Sequence, residues 1–225
     1  MFSVCVKSTA VFENSDESDL FALAAALPFG KTEAVRVLAI SNRARRLQSL
    51  SGLTCLAVLI EKAAGNADDS EILRDENGRP FFTKIPAADF GISHSGALAA
   101  AAFCEENGRL GIDIEHVEEK KNTGKIAHRF FTETEQSDIF DPDGNICAEK
   151  FFLVWTKKEA AAKRDGRGLS AIAKRDIDTS ALFFKSFRIE SGGEKYILTL
   201  CAEKYGEIKF YYDEEIKIYE IQDRI

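Results

Sequence analysis

The chain has 225 residues, 45% of them hydrophobic, enough for one large domain or two small lobes with cores of their own. A formal charge of −7 argues against a general nucleic-acid binder, and charged residues of both signs intermixed argue against disorder. Five cysteines, at 5, 55, 104, 147 and 201, form no CxxC pair and are odd in number, which reads as free thiols in a reducing compartment. No secretory-type signal opens the chain, and the longest apolar run, Leu53 to Ile60, is too short to cross a bilayer. The expected location is the cytoplasm, with no membrane partner.

In chain order, Phe2 to Val6 predicts a first strand. Leu20 to Leu27, Lys31 to Leu38 and Arg43 to Ala64 predict helices, the last long and apolar on one side. Asn66 to Arg79 is polar and turn-rich, with Asn77-Gly78 as a turn signal. Leu98 to Phe103 and Leu110 to Glu115 predict two strands joined as a hairpin through Asn107-Gly108, and Ser93-His94 falls just before the first of them. Helices are expected over Lys125 to Phe131, Glu133 to Phe140 and Ile146 to Arg164, broken by Asp141-Pro142-Asp143-Gly144. Four strands follow, over Leu182 to Ile189, Tyr196 to Ala202, Glu207 to Tyr212 and Ile216 to Ile221. Strand and helix do not alternate strictly in either half, so the fold class is α+β.

Three segments carry chemistry. Asp113 and Glu115, two apart on a strand, point to one side, opposite Leu110, Ile112 and Ile114. Adjacent carboxylates repel unless a cation joins them, and hard oxygen ligands suit Mg²⁺; the other reading is the solvated face of an amphipathic strand. On the helix after Ile146, Phe152, Trp155, Glu159 and Lys163 fall on one stripe, so a carboxylate and an ammonium extend an aromatic face. They pair, meet a metal or line a cleft, or else form an ordinary i,i+4 pair on an exposed turn. Ser93-His94-Ser95-Gly96 could donate to a phosphate, or His94 could be structural. The chain has no GxSxG elbow, zinc-binding spacing, Walker A or Rossmann motif.

Charge is uneven. Lys31 to Arg46 holds five basic residues against Glu33, and Lys157 to Arg175 holds seven against Glu159 and Asp165. Such blocks suggest local anionic partners, or solvated helix faces.

Taken together, the segments Gly78-Arg79-Pro80, Gly91-Ile92-Ser93-His94-Ser95-Gly96, Gly111-Ile112-Asp113-Ile114-Glu115, Arg129 to Glu135, Trp155 to Lys163 and Gly166 to Ser170 resemble the 4′-phosphopantetheinyl transferase superfamily, in its long, two-lobed type. The resemblance implies two similar, pseudo-twofold α+β lobes, divided here as 1–108 and 109–225, with coenzyme A in the cleft between them. It implies transfer of phosphopantetheine from coenzyme A to a serine of an acyl or peptidyl carrier protein by a monomeric enzyme. Asp113, Glu115 and Glu159 would hold Mg²⁺, and Lys163 would contact the phosphates. Ser93, His94, Arg79 and Pro80 would line the nucleotide end. Lys31, Arg43, Arg45 and Arg46 are candidates for the nucleotide 3′-phosphate, with Arg45 or Arg46 favoured since Gln48 stands where relatives can carry a basic residue. Glu135 matches a family acid near the metal, and the second basic block would dock an acidic carrier surface. The alternatives are another Mg²⁺-dependent phosphoryl-transfer enzyme and a non-catalytic coenzyme A-binding module.

Overall fold

The computed structural model describes residues 1–64, 71–85, 87–105, 108–118, 122–168, 171–172 and 179–222. The α+β class holds: two four-stranded sheets pack face to face, and one long helix covers the outer face of each. The first sheet runs β4 (Asp89–Ser95), β5 (Leu98–Cys104), β1 (Phe2–Ser8), β9 (Ile208–Tyr212), and the second runs β10 (Lys217–Ile221), β7 (Phe183–Ser191), β8 (Glu194–Ala202), β6 (Leu110–His116). A short hairpin of β2 (Ile72–Arg74) and β3 (Pro80–Phe82) stands apart.

Strand alternation builds the layers. Val4 and Val6 of β1, Leu98, Ala100 and Ala102 of β5, Leu110, Ile112 and Ile114 of β6, and Leu198 and Leu200 of β8 meet between the sheets. The opposite face of the first sheet, with Cys5, Ala101 and Phe103, packs on α3 (Arg43–Ala64) and its Leu50, Leu56 and Ile60. The opposite face of the second, with Ile197 and Cys201, packs on α6 (Ala148–Asp165) through Phe151, Phe152, Ala160 and Ala161. Two helices, α1 (Glu17–Ala26) and α2 (Gly30–Leu38), flank α3, while α4 (Thr123–Phe130) and α5 (Glu133–Ile139) precede α6.

Two close approaches depend on glycine. A Cβ on Gly111 would stand 1.9 Å from the Ala160 carbonyl oxygen, so α6 can lie on β6 only because this position has no side chain. A Cβ on Gly52 would stand 2.5 Å from Ile92 Cγ2, which fixes how near α3 comes to β4.

The structure corrects the expected hairpin. β5 and β6 do not pair: β5 has β4 on one edge and β1 on the other, and β6 pairs with β8. Both edges of β5 are taken, so β6 joins the other sheet; Asn107 of the expected turn lies outside the described residues. β4 itself was read only as a segment before a strand, because Gly91, Ser93, His94 and Ser95 dilute its apolar pattern. β9, late in the chain, runs parallel to β1 and completes the first sheet, so the strands after residue 109 do not all lie on one sheet.

The two sheets meet edge to edge where β4 lies beside β6. Backbone pairing is replaced there by side chains. Asp89 accepts from Leu110 N at 2.7 Å, Ser93 Oγ from Ile114 N at 3.2 Å and Ser95 Oγ from His116 N at 3.1 Å, all at a constant offset of 21 residues. This seam forms one wall of the candidate site.

Candidate active site

A cleft of about 320 Å³ opens between the β2–β3 hairpin, α2, α3 and β4 on one side and the end of α6 on the other. Arg79, Pro80, His94 and Lys163 line it, as do Glu33 and Arg36 from the first basic block and Arg74, which no sequence pattern marks. Arg36 and Arg74 both pair with the buried Glu33 carboxylate, at 2.6 and 3.1 Å.

Lys163 lines the cleft, and its Nζ lies 2.7 Å from Asp113 Oδ1 and 2.7 Å from Ser93 Oγ, neither of which is part of the cleft lining. Ser93 donates its own proton to Asp113 Oδ1 at 2.8 Å. Its hydroxyl therefore donates once and accepts twice, from Lys163 and from Ile114 N, which exhausts its capacity. Ser93 was expected on the nucleotide side; the structure places it buried, on the β6-facing side of β4, while His94 faces the cleft. The same alternation puts Ser95 beside Glu115, to which it donates at 2.9 Å.

Asp113 Oδ2 is buried and has no hydrogen-bond partner among the described residues. An orphaned carboxylate oxygen is costly, and it marks a place where a cation could bind. The Glu159 carboxyl, one helical turn before Lys163, is pushed up to about 7, by burial first and by the Asp113 charge second, with Lys163 pulling it down and Glu115 adding to the rise. Asp113, Glu115 and Lys163 thus all act electrostatically on Glu159, and carboxylate oxygens are hard donors that suit Mg²⁺ in their chemistry. Among the described residues, no three His, Cys, Asp or Glu side chains are already gathered into a group that could hold a metal ion.

His94 is held below the usual imidazole range, chiefly by burial and then by the Lys163 charge, with Arg45 adding to the effect. A neutral imidazole offers one N–H to a substrate in the cleft. Lys31, Arg45 and Arg46 lie outside the cleft lining, and Arg46 pairs with Glu17 at 2.5 Å. Gln48 donates to the Gly96 carbonyl at 2.8 Å and so ties α3 to the β4–β5 turn.

Other expected residues have local roles. Glu135 closes a capping box on α5, accepting from Thr132 N at 2.7 Å, and pairs with Lys158 at 2.9 Å. Trp155 stacks edge-on against Phe130. The second basic block is largely neutralised in place: Lys158 faces Glu135, Lys163 faces Asp113, Arg164 faces Glu203 and Arg167 faces Asp165. Lys174 and Arg175 lie outside the described residues. Behind the site, the buried hydroxyls of Thr156, Thr199 and Ser186 bond in series at 2.8 and 3.0 Å, unannounced by any spacing in the sequence.

Comparison with known proteins bears on the family. Residues 109–219 match the model of the 4′-phosphopantetheinyl transferase superfamily. The chain is 38% identical over 102 residues to the 4′-phosphopantetheinyl transferase Sfp of Bacillus subtilis, covering 45% of this chain and 44% of that one. It is 35% identical over 98 residues to the 4′-phosphopantetheinyl transferase AcpT of Escherichia coli, covering 43% and 49%. A putative 4′-phosphopantetheinyl transferase of Synechocystis is 28% identical over 140 residues, covering 62% and 53%. The matched stretches thus span about half the length of these curated relatives. The family match covers β6 and α6, with Asp113, Glu115, Glu159 and Lys163, so the chain is similar to the 4′-phosphopantetheinyl transferase superfamily and to its Sfp type.

Proposed function

We propose that the protein transfers the 4′-phosphopantetheine group from coenzyme A to a serine of an acyl or peptidyl carrier protein and releases 3′,5′-ADP. The observation that carries this reading is the Lys163–Ser93–Asp113 cluster behind the cleft-lining Lys163, with Asp113 Oδ2 left over and Glu159 held up to about 7. The two sheets, each with one long helix, are read as two lobes of similar plan, 1–108 and 109–225, with β9 exchanged back to the first.

In this reading the coenzyme A diphosphate lies over Lys163, and its nucleotide end runs along Pro80 and His94. Of the basic candidates for the 3′-phosphate, Arg45 is the one whose charge acts on His94. Asp113, Glu115 and Glu159 would hold Mg²⁺, which when bound supplies Lewis-acid polarisation of the phosphoryl oxygens. The carrier serine oxygen attacks the β-phosphorus, the bond from that phosphorus to the nucleotide phosphate oxygen breaks, and 3′,5′-ADP leaves with the electron pair. The serine proton passes to Glu159, with a water as relay. The Lys163 ammonium balances charge growing on the transferred group. An acidic carrier surface is part of the reading, and transfer to the carrier then slows as salt rises.

The test is product analysis with an apo carrier, coenzyme A and Mg²⁺. Stoichiometric 3′,5′-ADP that disappears when the carrier serine is replaced by alanine supports the reading. Nucleotide turnover without a carrier, or coenzyme A binding indifferent to Mg²⁺ and without turnover, rejects it.

A further inference from the structure

The resemblance assigns Arg79 to the nucleotide end of coenzyme A. Its surroundings give it other work. Arg79 stands at the end of the β2–β3 turn, where its own N–H is held by Asp75 Oδ1 at 2.9 Å. From there the residue lines the cleft and its side chain reaches the β4–β6 seam. Nη2 donates to Asp89 Oδ2 at 2.6 Å and lies 3.4 Å from the Leu110 carbonyl, and Nε donates to the Lys163 carbonyl at 3.3 Å. Asp89 Oδ2 also accepts from Leu110 N at 2.7 Å. The Arg79 and Asp89 side chains are only 10% and 13% exposed.

Three elements converge on this pair: the β2–β3 hairpin, the β4–β6 seam and the last turn of α6. The Lys163 carbonyl is among those at a helix C-terminus that lack an intrahelical partner, where a cation is favoured. Gly166 follows at φ +96°, the left-handed cap of α6, and a Cβ there would stand 3.1 Å from Arg79 Cδ. The guanidinium therefore holds the backbone of the residue whose ammonium sits on Asp113 and Ser93.

We propose that Arg79, oriented by Asp89, is a positioning residue that fixes the last turn of α6 and thereby places the Lys163 ammonium, rather than a ligand of coenzyme A. The proposal rests on the transferase reading for its kinetic consequence. Asp89 is outside the cleft lining and pairs with Arg79, so it separates the two roles.

The experiment compares wild type with Asp89→Asn, which keeps size and an acceptor oxygen, and Arg79→Gln. Three readouts are taken: kcat for carrier modification, the calorimetric Kd for coenzyme A, and hydrogen exchange of the Gly166 amide, which bonds to Ala162 O at 2.9 Å. Both variants should lower kcat by about tenfold or more. Kd should change by less than about threefold, and Gly166 exchange should speed up. In a Lys163→Met background Asp89→Asn should lower kcat no further, because its effect runs through Lys163. The proposal is overturned if Arg79→Gln weakens coenzyme A binding by about thirtyfold or more while Asp89→Asn is silent. It is overturned equally if Asp89→Asn is as harmful in the Lys163→Met background, since that marks a general structural role. Wild-type protein inactive on every carrier would defeat the transferase reading, whereas the exchange comparison still tests the clamp without turnover.

Discussion

Lys163 on α6 reaches Asp113 on β6, 50 residues earlier in the chain, at 2.7 Å. The contact depends on Gly111, two residues before Asp113 on the same face of the strand, because any side chain there would strike the Ala160 carbonyl. A helix laid this tightly on a strand delivers its last turn to the carboxylates.

Gly111→Ala should therefore push α6 off β6. With backbone rather than a flexible side chain at 1.9 Å, the clash cannot be relieved locally. Thermal unfolding should show a loss of about 3 kcal/mol or more, and transfer should be lost with it. A variant as stable as wild type would mean that α6 is not seated as described.

Ser93→Ala removes one donor and two acceptors from the cluster at once. Leaving Lys163 and Asp113 without their shared hydroxyl should cost about 1–3 kcal/mol of stability. It should also lower kcat by about tenfold, with coenzyme A binding little changed. A drop in coenzyme A affinity at constant kcat would place Ser93 on the ligand instead.

Glu159 gives a pH prediction. Its folded-state carboxyl is raised from 4.5 to about 7. The sign is that of a raised acid: the associated stability is fully present below about pH 4.5 and is lost as pH rises through about 7. At pH 8 Glu159→Gln should therefore stabilise the metal-free fold by on the order of 2 kcal/mol, and at pH 4 it should do nothing. Mg²⁺ needs the ionised form, so its binding should tighten from pH 6 to 8, release a proton below 7 and raise the melting temperature at pH 8. Calorimetry in buffers of different ionisation heat would check this. Pre-existing tight Mg²⁺ binding at pH 5 would contradict it.

Much of the fold was legible because most elements carry strong periodicity. The limits of α3 match the expected helix, and the last four strands fall within a few residues of expectation. Pairing was not legible. Alternation says which residues share a face, but not which strand lies alongside, so β5 and β6 were wrongly joined and the return of β9 to β1 went unseen. In the site, Asp113, Ser93 and Lys163 were all named in advance, yet as separate groups. Only the β4–β6 seam, built from polar residues that weaken a strand signal, brings them within hydrogen-bond reach. Asp89 and Arg74 carry no spacing pattern and read as solvated surface, while Glu33 and Arg36 are visible only as members of a basic block.

The most direct test of the account is the intact mass of an apo carrier protein after incubation with coenzyme A and Mg²⁺, using wild type and Asp113→Asn side by side. The account predicts that wild type adds one phosphopantetheine arm to the carrier serine. The variant, folded by circular dichroism, should add it at least about a hundredfold more slowly, whatever the Mg²⁺ concentration. No mass gain with wild type across several apo carriers, or a variant as fast as wild type in excess Mg²⁺, would contradict it.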